Sequence, residues 1–166
     1  QGIPEQIQMW GAIVNNPEAA GRVIEKFDSR LAMILEKLAD VEEGPRVFHD
    51  DSLFYTSGPD TFVGNAYTLL KAQNIANDLP APYGQLSPEV IVERDPEVIV
   101  ATFSNIPQEY LDNPAFENVS AVKNNRIPVV EPDGILSVAG TRFLEGVEWL
   151  AKALYPDLFG DELGYE

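Results

Sequence analysis

The sequence predicts an α/β fold, a three-layer lobe around a mostly parallel sheet with a long α-helix in front of it. Three observations carry this. The unbroken apolar run Val98-Ile99-Val100-Ala101-Thr102 lacks the alternation of a half-exposed strand and suits one buried on both faces of a parallel sheet. From residue 46 onward, strand-like and helical segments alternate, the order that builds such sheets. Before them, over residues 17–39, apolar side chains step by three or four with charged ones mainly between.

The opening segment reads as a helix, because Ile3, Ile7, Trp10 and Val14 recur at helical spacing up to Asn15-Asn16-Pro17. Asn16 is a good N-cap, and Pro17 suits the first helical position, where its missing N–H has no partner to lose. The helix over 17–39 is roughly 35 Å long at 1.5 Å per residue. Its stripe (Ala20, Val23, Phe27, Leu31, Ile34, Leu38) must cover something, either its own domain or a second one, and Gly44-Pro45 ends its acidic tail. Residues 46–49 form a short strand, and Ser57-Gly58-Pro59-Asp60 is a turn. Residues 61–73 carry Phe62, Ala66, Leu69 and Leu70 at helical spacing. Ser87-Pro88-Glu89 opens a helix that runs to Arg94, and Asp95-Pro96 stops it ahead of the apolar run. Residues 107–113 are a short helix, and 127–130 a strand whose Pro128 demands an edge or terminal place. Residues 141–154 form the last helix, closed by Pro156.

Composition narrows the function. The 166 residues hold 27 acidic and 11 basic side chains, a net charge of -16, with one histidine and no cysteine. Each phosphate contact needs a cation, so nucleic acid and anionic membrane are excluded as partners. A surface this acidic suits a secreted protein that must not stick to anionic lipid, and also a salty habitat. Disulfides and thiolate metal sites are excluded as well. No stretch approaches the roughly 20 apolar residues of a membrane span. A hydrophobic share of 45% supports a packed core rather than a disordered acidic tail.

Catalytic signatures are poor. Neither a Gly-Lys-Ser/Thr phosphate loop nor a Gly-x-Ser-x-Gly elbow occurs, and one histidine cannot build a histidine-rich metal site. His49-Asp50-Asp51 could ligate a metal at a strand end, but the simpler reading is the solvated mouth of a strand. Phe54 and Tyr55 lie just beyond the carboxyl end of a strand, where open α/β sheets bind ligands.

Taken in order, Phe54-Tyr55-Thr56-Ser57-Gly58, Asn74-Ile75-Ala76, Ser87-Pro88-Glu89, Asp95-Pro96-Glu97-Val98-Ile99, the segment Ala121-Val122-Lys123-Asn124-Asn125-Arg126-Ile127 and Gly140-Thr141-Arg142 form a recognisable series. It resembles the C-terminal lobe of the ABC-transporter solute-binding proteins for iron-siderophores, haem and cobalamin, the class III periplasmic binding proteins. The resemblance covers residues 46–156 and implies a Rossmann-like lobe. Two departures stand out. Ala72-Gln73 replaces paired glycines, and the segment before the last helix keeps Arg142 as its only basic residue.

What the resemblance implies is a binding protein, not an enzyme, acting outside the cytoplasmic membrane without a cofactor or a metal site of its own. Residues 1–44 would be the helical connector between lobes and 45–166 the C-terminal ligand-binding lobe. The missing N-terminal lobe would then be the neighbour of the helix stripe. Phe54, Tyr55 and Tyr83 match the aromatics that stack on flat or apolar faces of an iron-siderophore, haem or cobalamin. Arg142 matches the cleft arginine that meets carboxylates or hydroxamates, and Glu89 the glutamate that docks on arginines of the permease. Two other classes compete. One is a chelatase-like enzyme or metallocofactor scaffold, which would need His49, Asp50 and Asp51 as ligands. The other is an interaction domain that pairs through the helix stripe.

Overall fold

A computed structural model describes residues 2–130, 134–136 and 142–160. Helix α1 (Ile3–Ile13) and helix α2 (Pro17–Lys37) meet at Asn16, whose Oδ1 accepts the Ala19 N–H at 3.1 Å. The two helices pack closely at Gly11, where a Cβ would overlap that of Ala20. Strand β1 (Arg46–Asp50) leads through β2 (Tyr55–Ser57) to α3 (Phe62–Leu69) and β3 (Gln73–Asn74). Then come β4 (Tyr83–Gln85), α4 (Pro88–Arg94), β5 (Val98–Ala101) and α5 (Ile106–Asp112). A 3-10 turn (Pro114–Phe116), α6 (Ser120–Lys123), α7 (Phe143–Leu154) and α8 (Pro156–Phe159) complete the order.

The main sheet is parallel in the order β3-β1-β5, with Val47 opposite Val98 and Asp50 opposite Ala101. Residues 126–130 extend it along β5, where Ile99 and Ala101 donate to the carbonyls of Arg126 and Pro128 at 3.0 and 2.9 Å. The strand expected at 127–130 is reduced to a single parallel bridge, Ala101 to Val129. Pro128 can offer a carbonyl but no N–H, so the segment can only be an edge.

The apolar run of β5 is buried on both faces. Val98 and Val100 join Val47 in a core beneath α2, α3 and α7, whereas Ile99 and Ala101 join Phe48 in a second core beneath α4, α5 and α6. Helix, sheet and helix thus form three layers. The fold class is the one expected.

The helix stripe is corrected by this packing. Ile34 and Leu38 are fully buried in the first core, with Phe27 and Leu31 packed against it, so the lower half of α2 belongs to this lobe. Arg30 forks onto Glu148 of α7 through Nε at 2.6 Å and a second nitrogen, an ion pair with a mostly buried carboxylate. Neither an absent lobe nor a second copy is needed to cover those residues. The helix expected over 61–73 stops at Leu69. Lys71, at φ +58°, turns the chain just before Ala72-Gln73, and its Nζ donates to the carbonyls of Leu38 and Val41 at 2.7 and 2.6 Å. That contact caps the end of α2 with a cation, where the helix dipole favours one.

Candidate functional site

In an open α/β sheet, ligands bind outside the carboxyl ends of the strands where the strand order reverses. Here that point lies between β1 and β5, at Asp50-Asp51 and Thr102. The Thr102 hydroxyl donates across it to Asp51 Oδ1 at 2.9 Å, and the Thr102 N–H donates to the Asp50 carbonyl at 3.0 Å.

His49-Asp50-Asp51 is not a solvated mouth. His49 and Asp50 are buried, and each donor or acceptor has a partner in the fold. Asp51 can only accept, so His49 Nε2 donates to its Oδ1 at 3.2 Å, which leaves Nδ1 to accept from the Tyr67 hydroxyl at 2.8 Å. Asp50 Oδ2 accepts from the Tyr110 hydroxyl at 2.6 Å, and its Oδ1 from the N–H groups of Ser52 and Phe54 at 2.8 and 3.2 Å. Burial raises the Asp50 carboxyl above its usual range despite these bonds. Burial would raise Asp51 too, but hydrogen bonds from His49, Thr102 and Ser57 hold it below. Among the described residues, no three His, Cys, Asp or Glu side chains gather as a metal set.

Beyond β1 the chain makes a tight reversal in which Ser52, Leu53 and Phe54 all take positive φ, at 125°, 51° and 62°. Phe54 turns inward, half-buried against the rings of Tyr110 and Phe116 at 5.8 and 5.6 Å between centroids. Leu53, 66% exposed, forms the tip. Strands β2 and β4 then pair as an antiparallel ribbon, Tyr55 opposite Gln85 and Ser57 opposite Tyr83. That register puts Tyr55 and Tyr83 on one face as diagonal neighbours, and they are 47% and 52% exposed. The ribbon is pinned from below by buried Asn74, which donates to the Ser57 carbonyl at 2.8 Å and accepts the Ala76 N–H at 2.9 Å. Helix α3 starts beside it at Thr61, whose hydroxyl accepts the Gly64 N–H at 2.9 Å. A Cβ on Gly64 would strike the Gly58 carbonyl.

The remaining expected residues lie apart from the ribbon. Glu89 is fully exposed in the first turn of α4, directly after β4. The Ser87 hydroxyl lowers its carboxyl, so it stays ionised. Arg142 is the N-cap residue of α7, largely exposed and paired with Glu145 at 3.1 Å. Gly140 and Thr141 before it lie outside the described residues. Arg142 is not the only cation there. Arg22, Lys26 and Arg30, four residues apart on α2, line a cavity of about 450 Å³ with Leu144 and Glu145. Sequence reasoning read these three as polar spacers between apolar residues, although their common spacing already put them on one helix face. It also missed Leu53 and the half-exposed Phe103, which follows the β5 run just as Phe54 and Tyr55 follow β1.

A roomier cavity of about 670 Å³ lies elsewhere, beside the amino ends of β1 and β3. Its cations are already committed. Arg46 binds Asp95 and Glu97, Arg94 binds Asp78, and Lys71 caps α2. The candidate site is the carboxyl edge with its exposed apolar groups.

Comparison with known proteins agrees with the fold. The family model described as periplasmic binding protein matches residues 1–133. The chain belongs to the periplasmic binding protein family. An uncharacterized ABC transporter substrate-binding lipoprotein of Bacillus subtilis, YvrC, is 31% identical over 160 residues, which are 93% of this chain and 50% of the relative. A cobalamin-binding protein of Halobacterium salinarum is 36% identical over 106 residues, 62% of this chain and 29% of the relative. The periplasmic vitamin B12 binding protein BtuF of Vibrio cholerae shares the fold, with a TM-score of 0.81 at 24% identity over 93% of this chain and 60% of that one. This periplasmic binding protein chain therefore spans half or less of the curated relatives it matches. Its family is one of extracytoplasmic binding proteins rather than enzymes. No described helix is long and apolar enough to cross a membrane.

Proposed function

We propose that this chain is the C-terminal ligand-binding lobe, with its helical connector, of an ABC importer's substrate-binding protein, and that it captures a metal chelate such as a ferric siderophore, haem or cobalamin against the ligand's flat or apolar face. The observation that carries this is the pair Tyr55 and Tyr83, exposed on one face of a pinned ribbon at the carboxyl edge of the sheet. Exposed aromatic faces on a rigid support suit an apolar or planar ligand face, because stacking needs area and little reordering. Phe54 supports that face from beneath, and Leu53 and Phe103 extend its apolar edge. Anionic groups on the ligand would meet Arg22 and Lys26 of α2 and Arg142, whose pair with Glu145 is exposed and weak, whereas Arg30 is committed to Glu148.

In this reading the second wall of the cleft is an N-terminal lobe joined through residues 1–44. The iron or cobalt arrives already chelated, so the lobe supplies no metal ligand and performs no covalent chemistry. Because α2 is packed into this lobe's core, lobe closure is small. Glu89, ionised at a helix start, is the docking contact for cations on the permease. The chelatase-like alternative loses the residues it relied on, since His49, Asp50 and Asp51 are consumed by internal bonds.

The test uses the full-length protein, this chain with the lobe that precedes it, titrated with cyanocobalamin, haem and a ferric hydroxamate. Tyr55→Ala and Tyr83→Ala are each expected to weaken binding about tenfold or more, which corresponds to about 1.4 kcal/mol. Glu89→Ala should cut uptake with affinity intact. Wild-type affinity in both tyrosine variants would sink the site assignment, and unchanged uptake in Glu89→Ala would remove the docking role.

A further inference from the structure

We infer that Asp50 is a positioning residue: its buried carboxylate holds the Ser52–Phe54 reversal in its left-handed conformation, and so places the exposed tip of the ligand face. This rests on the ligand-binding reading of the carboxyl edge.

The backbone makes the case first. Three consecutive residues other than glycine take positive φ, a conformation that L side chains disfavour and that persists only where the surroundings enforce it. None of Ser52, Leu53 or Phe54 has the freedom of glycine, and Leu53 at the tip buries too little to repay the strain. Something beneath must hold the turn.

Asp50 is what lies beneath. It is fully buried, and one carboxylate oxygen accepts both the Ser52 and the Phe54 N–H, closing the ring of the reversal from inside. The other oxygen is fixed by the Tyr110 hydroxyl from α5, within the second core. The carboxylate therefore ties the loop to the helix layer. Two further contacts continue outward from the reversal to the ribbon. The Asp51 N–H donates to the Tyr55 carbonyl at 2.8 Å, and Gln85 Nε2 donates to the Leu53 carbonyl at 2.5 Å. Moving the reversal would shift Leu53 and Tyr55 together. It would also withdraw Phe54 from the aromatic stack on Tyr110 and Phe116. A carboxylate suits this place because it accepts three bonds at once and donates none, matching two N–H groups and one hydroxyl.

The experiment compares Asp50→Ala, Asp50→Asn and Leu53→Pro in the full-length protein by amide hydrogen exchange at residues 52 and 54 and by cyanocobalamin affinity. Asp50→Ala is expected to speed exchange at both amides at least tenfold and to weaken cyanocobalamin binding at least tenfold. Asn keeps an oxygen that can accept both N–H groups, so Asp50→Asn should restore most of the protection and the affinity. Proline cannot take the φ of +51° at position 53, so Leu53→Pro should break the reversal and cost affinity, with a loss of stability confined to that turn and the Phe54 contacts it holds. It tests the same geometry if Asp50→Ala does not fold. Unchanged amide exchange in Asp50→Ala would overturn the inference. So would unchanged affinity in both the Ala and Pro variants, or an affinity loss that Asn does not rescue while the amides stay protected. Should wild-type protein bind no cyanocobalamin, that ligand assignment fails, and the exchange rates at residues 52 and 54 still decide the role of Asp50.

Discussion

Truncating Ile34 to alanine tests whether α2 is part of the lobe or a rod laid upon it. Ile34 is completely buried in the first core, which also holds residues of the sheet and of α7. Losing three side-chain carbons at about 0.8 kcal/mol each forfeits about 2.4 kcal/mol of transfer free energy. The cavity left behind adds to this, because the surrounding core side chains are held by other contacts and close in only partly, so the total lies at about 2–5 kcal/mol. For a chain of this size each kcal/mol lowers the melting temperature by about 2–4 °C, and a middle value near 3 kcal/mol gives a drop of about 6–12 °C. The control is Met33→Ala, one residue away on the same helix but 48% exposed, for which about 0.5 kcal/mol or less is expected. Thermal denaturation followed by circular dichroism reads both. Equal melting temperatures for the two variants would refute the packing and return α2 to the status of a detached connector.

Three further outcomes follow from the same contacts. Thr56 Oγ1 is buried without a hydrogen-bond partner among the described residues, so Thr56→Val should leave the melting temperature unchanged or raise it, by up to about 1 kcal/mol of stability; a clear loss would show that the hydroxyl has a partner. Asp50 and Asp95 should show opposite pH dependence in urea unfolding. The Asp50 carboxyl is raised, so its neutral form favours the fold below the unfolded value of 3.8 and that advantage is lost as pH rises through the folded value. Asp50→Asn should therefore gain on wild type toward neutral pH. The Asp95 carboxyl is lowered, first by the Ser120 N–H at 2.7 Å, so it stabilises above 3.8 and loses that as pH falls, and Asp95→Asn should be weaker than wild type near neutral pH and converge with it in acid. Parallel pH profiles for the two variants would contradict both assignments.

Much of the fold was legible because its signals are local. Asn16-Pro17 and Ser87-Pro88 cap helices where such pairs should, and the uninterrupted run at 98–102 announced a strand covered on both faces. Strands of two or three residues, such as β3 and β4, are too short to carry any period, so the ribbon that bears Tyr55 and Tyr83 could not be read. The triplet His49-Asp50-Asp51 was misread for a different reason. Its partners Tyr67, Thr102 and Tyr110 lie 18, 51 and 60 residues from the side chains they bind, and only the folded sheet brings them together. A run of charged and polar residues beside a strand end looks solvated until its partners are counted.

The two acids at the switch point also bear on how a chain with a net charge of -16 can offer a ligand face at all. A free carboxylate at that edge would repel the carboxylates or phosphates that metal chelates carry. Here Asp50 and Asp51 point inward and spend their lone pairs on Ser52, Phe54, Tyr110, His49 and Thr102. The groups presented outward, Leu53, Tyr55, Tyr83 and Phe103, are uncharged. Positive charge on the proposed reading comes from a different layer, from Arg22 and Lys26 on α2 beside the start of α7, Arg30 being committed to Glu148. Shape and stacking are thereby separated from charge. On the proposed ligand reading, the carboxyl edge would set which apolar face fits, and α2, locked into the core by Ile34 and by the Arg30–Glu148 pair, would set where negative charge on the ligand is tolerated. Changes in α2 should consequently alter preference among chelates of different charge, whereas changes in the ribbon should alter affinity for all of them.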